Sequence, residues 1–439
     1  MNDRYNNLND VDIRSISISS DQGGNHEIMG QVKHISIFED ITNSCMEGHA
    51  LVVDGYSLIN HFPIVGQETL KISFKTPGFG KNYQELEFEI YSIEGRHKSD
   101  NGKSEGYEIK FISKEFRMSK IKRISKAYKG KISSMVGEIF AEHFPKSNVL
   151  IFETISEHKF VIPNISPIET IEWLSNRSIS EQGGYSNYIF FQRMDGFYYI
   201  PIAKLNRAEA KYSYEMLPTG VNNDNVIGQY YNIQEMSTVN QFDRLSELYD
   251  GMYSSNLIVH DITNKNYSVT VRRYINNFGK GRLEEYPYLP VRNRYSSSPI
   301  AVSNLVTRQS SMHDEVENNQ NYEEWLLDRN ARLKEMDTNR IKVTLAGNSD
   351  LHAGDVLNIR TPSSEPKRSS DSDWKDKYLS GRYLVNSVRH YINIIGNREY
   401  KCIVELSRDS VPVRVPDKST FLGTGKDDGN QNNEYFERN

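Results

Sequence analysis

Cysteine is nearly absent from this 439-residue chain, which contains only Cys45 and Cys402. Two cysteines exclude a scaffold held by several disulfides and any zinc module built on cysteine ligands. Both lie in strand-like runs, so we predict that they are buried as small apolar side chains. A chain without a disulfide framework is suited to synthesis in a reducing cytoplasm.

Long apolar runs and an excess of basic charge are also missing. No stretch approaches the ~18 apolar residues that a membrane-spanning helix needs, and residues 1–7 carry no apolar signal-peptide core. Lys and Arg total 53 against 58 Asp and Glu, a net charge of −5. Proteins that hold nucleic acid need a basic face, because their affinity comes from displacing counterions from phosphates. The composition therefore predicts neither an integral membrane segment nor a dedicated nucleic-acid binder.

Motifs for catalysis and cofactor binding are lacking too. The sequence has no Gly-x-x-x-x-Gly-Lys, His-Glu-x-x-His, Cys-x-x-Cys or Gly-x-Ser-x-Gly. Some ionisable residues could in principle act as catalysts or metal ligands: His260–Asp261, His313–Asp314, Glu284–Glu285, Glu323–Glu324, and Asp350 with His352 and Asp355. Neighbours on a strand point to opposite faces, so ordinary surface and turn positions explain them better. We predict no enzyme, no catalytic residue, no metal and no cofactor.

Tyrosine and alternating sequence are what the chain does contain. There are 27 Tyr and 18 Phe against 3 Trp, and tyrosine suits strands with one wet side. Residues 1–118 hold several strand-like runs, most with period-two alternation, as expected for antiparallel strands around a core. These runs are 13–18, 34–41, 50–54, 69–75, 86–93 and 107–112. We predict a first antiparallel β-barrel over residues 1–118.

Helical spacing replaces this alternation in residues 119–225. A basic run from Lys120 to Lys131 is predicted to be a solvated linker in preference to a nucleic-acid contact. Apolar residues at helical spacing predict a helix over 132–144. A second helix is predicted from an N-cap, a first-turn proline and a capping-box partner, which are Ser166, Pro167 and Glu169. Asp195–Gly196 between aromatic runs predicts a hairpin, so this segment is predicted to be a small α+β domain.

Strands return later in the chain. Residues 226–250 and 338–415 are predicted to form a second β-barrel similar to the first. Residues 416–439 form a polar tail whose apolar side chains are too scattered to close a core. Within this tail, Tyr435 and Phe436 are the predicted anchors for a partner protein.

An inserted α+β domain is predicted between these segments, over residues 251–337. Residues 294–311 are predicted to be loop-like. The insert is predicted to end in a helix over Tyr322–Met336, with Asn321 and Glu324 as a cap pair.

The first and last β-rich segments also resemble each other in sequence. Three matches occur in the same order: Thr76–Pro77 with Thr361–Pro362, Ser92 with Ser387, and Ser113 with Ser407. Their offsets are 285, 295 and 294, and one charged insertion over 363–377 accounts for the larger change. We interpret the matches as two copies of one β-domain, although two antiparallel sheets could share such patterns by chance.

Four stretches carry a family resemblance. Residues 37–41 with 66–70, Ser166–Leu174 with Tyr188–Ile200, Tyr322–Gly347 with Gly354–Asp355, and Tyr383–Tyr391 with Tyr400–Val411 follow in a characteristic order. The chain resembles the central baseplate hub protein of contractile-tailed bacteriophages. It also resembles the N-terminal part of type VI secretion spike proteins.

The resemblance implies a mainly β fold with two tail-tube-like barrels. It also implies a homotrimer whose six barrels form a ring in the virion tail baseplate, made in the host cytoplasm. Its expected partners are the central spike, the tail tube or tube-initiator protein and surrounding baseplate proteins. DNA would pass through the ring during ejection without sequence-specific binding. Two alternatives stay open: a tail-associated enzyme that degrades polysaccharide or cell wall, and a host-binding adhesin.

Overall fold

A computed structural model gives the fold of the chain. It describes residues 9–20, 24–77, 79–99, 104–217, 226–274, 278, 281–288, 302–308, 321–363, 375–396 and 398–415. Among these residues, no helix is both long and apolar enough to cross a membrane.

The N-terminal part folds into strands where the sequence alternates. In β7, for example, every second side chain is buried from Tyr107 to Ser113, as expected of a strand with one face on a core. The strands are β1 (Asp12–Ser19), β2 (Asn25–Glu27), β3 (Val32–Asp40), β4 (Glu47–Asp54), β5 (Thr69–Thr76), β6 (Phe79–Lys98) and β7 (Glu105–Ser113). A short helix, α1 (Leu58–His61), follows β4. We call this part the first half-sheet.

The later β-rich segments form a second half-sheet. Its strands are β13 (Tyr212–Glu215), β14 (Glu235–Asn240), β18 (Asn339–Ala346), β19 (Val356–Arg360), β20 (Gly381–Asn393) and β21 (Glu399–Arg408). β13 lies inside residues 119–225, the range predicted for the helix-and-hairpin domain, yet it pairs in parallel with β19.

Both half-sheets belong to one thirteen-stranded sheet. Its order is β14-β18-β21-β20-β3-β4-β7-β6-β5-β1-β2, with β19 also beside β20 and β13 beside β19. The predicted mainly β, antiparallel fold is confirmed. The segments predicted as two barrels share this one sheet, because the antiparallel pairing of β3 with β20 joins the half-sheets edge to edge.

The two half-sheets repeat one strand order. Within the chain, β3-β4-β7-β6-β5 corresponds to β14-β18-β21-β20-β19, and every neighbouring pair in both series is antiparallel. Each series also carries a β-bulge at the same place, after Ile90 in β6 and after Val385 in β20. Opposite these residues lie Phe111 and Leu406, and both offsets, 385 − 90 and 406 − 111, equal 295. A shared bulge is a specific feature of a strand pair, so it strengthens the equivalence.

The strand pairing corrects two of the sequence matches. With an offset of 295, Ser407 corresponds to Ile112 and not to Ser113. Thr69 in β5 lies opposite Glu89, and Val356 in β19 lies opposite Leu384, so Thr69 and Val356 are equivalent. The offset between β5 and β19 is therefore 287, whereas the sequence match gave 285. Ser92 and Ser387 are equivalent as predicted.

A single hydrophobic core lies under both half-sheets. It takes Phe74 and Phe111 from the first and Tyr383 and Tyr400 from the second, all of them fully buried. The rings of Phe74 and Tyr400 meet edge to face with their centroids 5.8 Å apart. The half-sheets are therefore fixed to each other by packing as well as by strand pairing.

The helix-and-hairpin region packs around a separate core. Its elements are α2 (Lys114–Lys120), β8 (Ala127–Gly130), α3 (Ile132–His143), β9 (Val149–Ile151), β10 (His158–Val161), α4 (Pro167–Ser175), β11 (Tyr188–Arg193), β12 (Gly196–Pro201) and α5 (Ile202–Asn206). Both predicted helices and the hairpin are confirmed. Helix α4 begins with the predicted capping box, in which Ser166 and Glu169 satisfy each other's backbone N–H groups.

The inserted region contains a small three-stranded sheet. Helices α6 (Val226–Tyr230) and α7 (Arg244–Tyr249) precede strands β15 (Ser254–Asp261), β16 (Asn266–Arg273) and β17 (Val302–Arg308), and α8 (Tyr322–Met336) follows them. The loop prediction for 294–311 is wrong over β17, which pairs in parallel with β15. Asn321 is the N-cap residue of α8 as predicted, but its side chain makes no capping hydrogen bond.

Candidate functional site

The junction between the half-sheets is the first candidate site. Strand β20 changes partner along its length: Gly381–Leu384 pair with β19, and Ser387–Asn393 pair with β3. The bulge at Asn386 lies between these two parts, and its carbonyl accepts a hydrogen bond of 2.9 Å from the N–H of Ile41. A bulge that ends one pairing and begins another is a common use of this feature.

A buried carboxylate, Glu39, fastens this junction to two other segments. Its side chain is fully buried and accepts three hydrogen bonds. One comes from His352 Nδ1 at 3.1 Å, one from the Ala353 N–H at 2.9 Å and one from the Met194 N–H at 2.8 Å. Glu39 therefore joins β3, the loop before β19 and the β11–β12 turn at one point.

Glu39 and His352 form an ion pair. Burial alone would raise the pKa of Glu39, but the charge and hydrogen bond of His352 outweigh burial and lower that pKa. Burial alone would lower the pKa of His352, and Glu39 reverses this effect so that the histidine pKa is raised. Each group thus holds the other in its charged form.

A second buried histidine, His390, stays neutral nearby. Its Nδ1 lies 2.7 Å from the hydroxyl of Tyr400. Burial lowers the pKa of His390 to about 4, and the opposing charge of Glu39 offsets only part of the lost hydration of a charged ring. Burial likewise raises the pKa of Cys402, beside this histidine, to about 12. Both Cys45 and Cys402 are free and buried, as predicted.

Charged side chains extend the junction to the hairpin turn. Arg193 binds Asp195 at 2.7 Å and Asp355 at 3.2 Å. Asp355 and Asp350 both contact Lys211, at 3.2 and 3.3 Å. Two of the three residues considered in the sequence as possible metal ligands thus bind lysine, whereas the third, His352, binds Glu39. Among the residues that the structure describes, no group of three His, Cys, Asp or Glu side chains is placed to hold a metal.

The inserted helix α8 is anchored by a second buried charge cluster. Glu335 is nearly fully buried and pairs with Arg282 and with Arg272. Arg282 in turn lies 3.6 Å from Asp409, just after β21. The guanidinium of Arg329 donates to the Tyr188 carbonyl at 2.6 Å. These bonds tie α8 to both the second half-sheet and the hairpin, which makes the cluster structural.

One carboxylate of each glutamate pair singled out in the sequence also has a structural partner. Glu284 accepts the backbone N–H of Arg382 at 2.7 Å, and Glu323 binds Arg308 at 3.0 Å. Asp261 is buried against Arg308, whereas its neighbour His260 is exposed on the opposite face of β15. His313–Asp314, Tyr435 and Phe436 lie outside the described residues.

A cleft of about 590 Å³ lies between β6, α2 and the β11–β12 turn. A hydrogen bond from Lys114 lowers the pKa of Glu87 on its wall. Burial would raise the pKa of Asp195, but Arg193 outweighs burial and lowers it. These carboxylates are held ionised, whereas a general acid needs a raised pKa.

Four of the six basic residues in the run Lys120–Lys131 pair with acidic residues. Its ion pairs are Lys120 and Arg123 with Glu169, Lys126 with Glu138, and Lys131 with Glu181. Hydrogen bonds from Lys120 and Ser166 lower the pKa of Glu169 to about 2. Since Ala127–Gly130 form β8, the run belongs to the folded helix-and-hairpin region, and the linker prediction is corrected there.

Several strand edges of the large sheet have no neighbouring strand among the described residues, and two of them lie at equivalent ends of the two half-sheets. The second part of β6, from Ser92 to Lys98, pairs only with β7. Strand β14 pairs only with β18 and lies at the end of the sheet. Such edges present unpaired N–H and C=O groups, and they are the second candidate site.

Comparisons with known proteins bear on the fold. No protein-family model matches the chain, and no curated protein matches it. A tail protein from Neisseria meningitidis MC58 is similar in structure, with a TM-score of 0.51 and 10% sequence identity over 90% of this chain and 97% of that one. The 43 kDa tail protein of prophage MuSo2 from Shewanella oneidensis has a TM-score of 0.50 and 8% identity, over 91% of this chain and 100% of that one.

A type VI secretion component from E. coli, described as structurally similar to phage T4 tail proteins, gives a TM-score of 0.42 and 9% identity. That match covers 92% of this chain and 77% of the other. The predicted resemblance to tail proteins is thus confirmed for the fold, through the two matches from Neisseria and Shewanella.

Proposed function

We propose that the chain is a structural hub protein of a contractile-tail baseplate, and that three copies form a ring of six similar half-sheets. The ring joins a sixfold tail tube to a threefold central spike, and DNA passes through it during ejection. The proposal places the protein in the virion tail baseplate after synthesis in the host cytoplasm.

The observation that carries this proposal is the β3–β20 junction. One chain holds two half-sheets with the same strand order and the same bulge, already joined side by side. Repeating that junction around an axis gives a closed ring, the usual arrangement of homo-oligomers. Two half-sheets per chain give six positions with three chains, which matches a sixfold object on one face and a threefold object on the other.

The partners follow from this place in the assembly. They are the spike, the tail tube or tube-initiator protein and the surrounding baseplate proteins, with Tyr435 and Phe436 as the proposed anchors for one of them. The net charge of −5 and the ion pairs of Lys120, Lys126 and Lys131 support passage of DNA without retention, because a basic wall would hold phosphates.

A non-enzymatic role is part of the same proposal. It is supported by the partners of the carboxylates, since Glu284, Glu323, Asp350 and Asp355 are each bound to structural groups.

Electron microscopy of the purified full chain tests the proposal. End-on class averages should show a ring with a central opening and six lobes, in which alternate lobes differ in outline because the halves are similar and not identical. Particles with one or two lobes, or a ring with another number of lobes, would contradict it.

A further inference from the structure

We infer that β6 of one copy pairs in antiparallel fashion with β14 of a second copy, with Glu94 opposite Asn240. The partner at this edge is therefore another molecule of the same chain. The inference rests on the proposed ring and adds to it the two strands and the register that close each joint between copies.

The internal junction supplies the template for this pairing. In β20, the residues after the bulge leave β19 and pair with β3, so that Arg389 lies opposite Phe38. This is how the second half-sheet attaches to the first within one chain. A ring needs the same attachment from the first half-sheet of one copy to the second half-sheet of the next.

Strand β6 repeats the first half of this arrangement. Its pairing with β5 stops at Glu89, as the pairing of β20 with β19 stops at Leu384. The next backbone hydrogen bond is also equivalent in the two strands. The N–H of Ile90 donates to the backbone carbonyl of Glu68 at 3.0 Å, and the N–H of Val385 donates to the backbone carbonyl of Asp355 at 2.9 Å. Beyond this point β20 has β3 beside it, whereas β6 has no neighbouring strand on that side within the part of the chain that the structure describes.

Strand β14 supplies the missing strand, because it is the equivalent of β3. Phe38 lies opposite Glu47, and Asn240 lies opposite Arg340. Glu47 and Arg340 correspond to each other through their partners Ile112 and Ser407. Asn240 in β14 is therefore the structural equivalent of Phe38 in β3.

Glu94 has the place of Arg389 by the same reasoning. Glu94 lies opposite Glu108, and Arg389 lies opposite Ile403. The differences 389 − 94 and 403 − 108 both equal 295, the offset between these strand pairs. The observed pair Arg389–Phe38 thus becomes the inferred pair Glu94–Asn240. Two residues further along, the pair Ser387–Asp40 becomes Ser92–Phe242.

Burial differs sharply between the internal junction and the open edges. At the junction, Glu39 and Ala353 are each 0% exposed and His352 is 3% exposed. Their equivalents at the open edges are Gln241, Gly66 and Val65, of which Val65 is 72% exposed and Gln241 is also exposed. Equivalent positions are thus buried at the internal junction and more exposed at the open edges of β6 and β14.

Apolar side chains are exposed on both open edges. Tyr91 and Val65 lie beside the free part of β6, with exposures of 54% and 72%. Val239 and Phe242 lie on and just after β14, with exposures of 51% and 58%. A long open edge flanked by apolar side chains is a liability for a monomer, and covering each edge with the other removes it.

Disulfide trapping tests the register in the full chain. The double variant Glu94→Cys/Asn240→Cys places two thiols on directly opposite residues of neighbouring copies, where Cα atoms of paired strands lie ~4.5–5.5 Å apart. Mild oxidation should convert most of the protein to a covalent trimer of about 152 kDa on a non-reducing denaturing gel, three times the 50.7 kDa chain. Ser92→Cys/Phe242→Cys is a second in-register pair and should behave in the same way.

Two matched controls accompany these variants. Glu94→Cys/Glu235→Cys is out of register by four strand positions, because the bulge at Val239 takes up one of the five intervening residues. The offset is ~14 Å along the strand, so this variant should remain at one chain mass. Phe38→Cys/Arg389→Cys is the observed internal pair and should lose its free thiols without a change in mass. The native cysteines are buried and do not contribute.

The outcomes separate this inference from the proposed function. A native trimer in which both in-register pairs cross-link no better than the out-of-register pair would overturn the β6–β14 joint and leave the ring standing. A wild-type protein that stays monomeric would overturn both. A native trimer with selective trapping of either in-register pair supports the joint.

Discussion

Replacing Glu39 with glutamine should destabilise the whole chain. The two carboxylate oxygens of Glu39 receive only donors: His352 Nδ1, the Ala353 N–H and the Met194 N–H. A glutamine keeps one acceptor oxygen but turns an N–H₂ group toward one of these donors. The change also leaves the His352 ring charge buried without its counter-ion.

The size of the effect follows from this geometry. Breaking a buried ion pair by removing one partner costs about 3–5 kcal/mol. Glutamine retains part of the hydrogen bonding, so we expect a loss of about 3 kcal/mol in the free energy of unfolding at pH 7. Glu85→Gln is the matched control, because Glu85 pairs with Arg14 in solvent, with the two side chains 70% and 55% exposed. An exposed pair contributes less than ~1 kcal/mol.

Urea unfolding followed by tryptophan fluorescence measures both variants. We expect a much lower unfolding midpoint for Glu39→Gln and little change for Glu85→Gln. Equal midpoints for the two variants would refute the argument that Glu39 fastens the junction.

The contribution of the ion pair also has a defined dependence on pH. His352 has a raised pKa in the folded chain, so the stability that it adds is fully present below its unfolded pKa of ~6.5 and is lost as pH rises through the folded value. Glu39 has a lowered pKa, so its stability is present above ~4.3 and is lost as pH falls through the folded value. The deficit of Glu39→Gln should therefore be largest near pH 5–6 and shrink toward pH 9, and a deficit that grows with pH would contradict the pair.

Two further predictions concern the same sheet. Gly48→Ala should lower the free energy of unfolding by about 1–3 kcal/mol, since a Cβ at this position would meet the Phe111 ring and the Ser36 carbonyl. Gly30→Ala is the control, because a Cβ there meets nothing within 4 Å. Equal urea midpoints for the two alanine variants would count against close packing at Gly48. Because His390 has its pKa lowered to about 4, the unfolded chain binds this proton between pH 6.5 and 4 and the folded chain does not. Wild type should thus lose about 2 kcal/mol between pH 7 and 5 that His390→Gln does not lose, and identical pH slopes in urea unfolding would argue against a neutral buried ring.

Local signals in the sequence predicted local structure well. Period-two alternation predicted strands β5 and β7, and the Ser166–Glu169 capping box predicted the start of α4. The Asp195–Gly196 pair gave the hairpin turn. In each case the residues that set the structure lie within a few positions of one another, so their physical cause is visible in a short window.

Structure that depends on distant partners was harder to predict. β17 is a weakly apolar run, and it becomes a strand because β15 accepts it as a parallel neighbour. Residue matching placed Ser407 against Ser113, whereas the strand pairing places it against Ile112. A similar side chain one position away is a better match in sequence than the true equivalent, and only hydrogen bonding between strands fixes the register.

The candidate site was the least predictable part. Glu39 and His352 lie 313 residues apart, and nothing near Glu39 distinguishes it from other strand glutamates before the sheet brings the two together. The sequence placed His352 with Asp350 and Asp355, but turn geometry directs these carboxylates to Lys211 instead. The open edges of β6 and β14 likewise become visible only when the strand order is known.

The mass of the native particle tests the central claim most directly. Light scattering coupled to size-exclusion chromatography should be run on the full chain at micromolar concentration and in moderate salt. A ring of six half-sheets from three chains predicts about 152 kDa, three times 50.7 kDa. A mass near 50.7 kDa, or one that corresponds to six chains, would contradict the account.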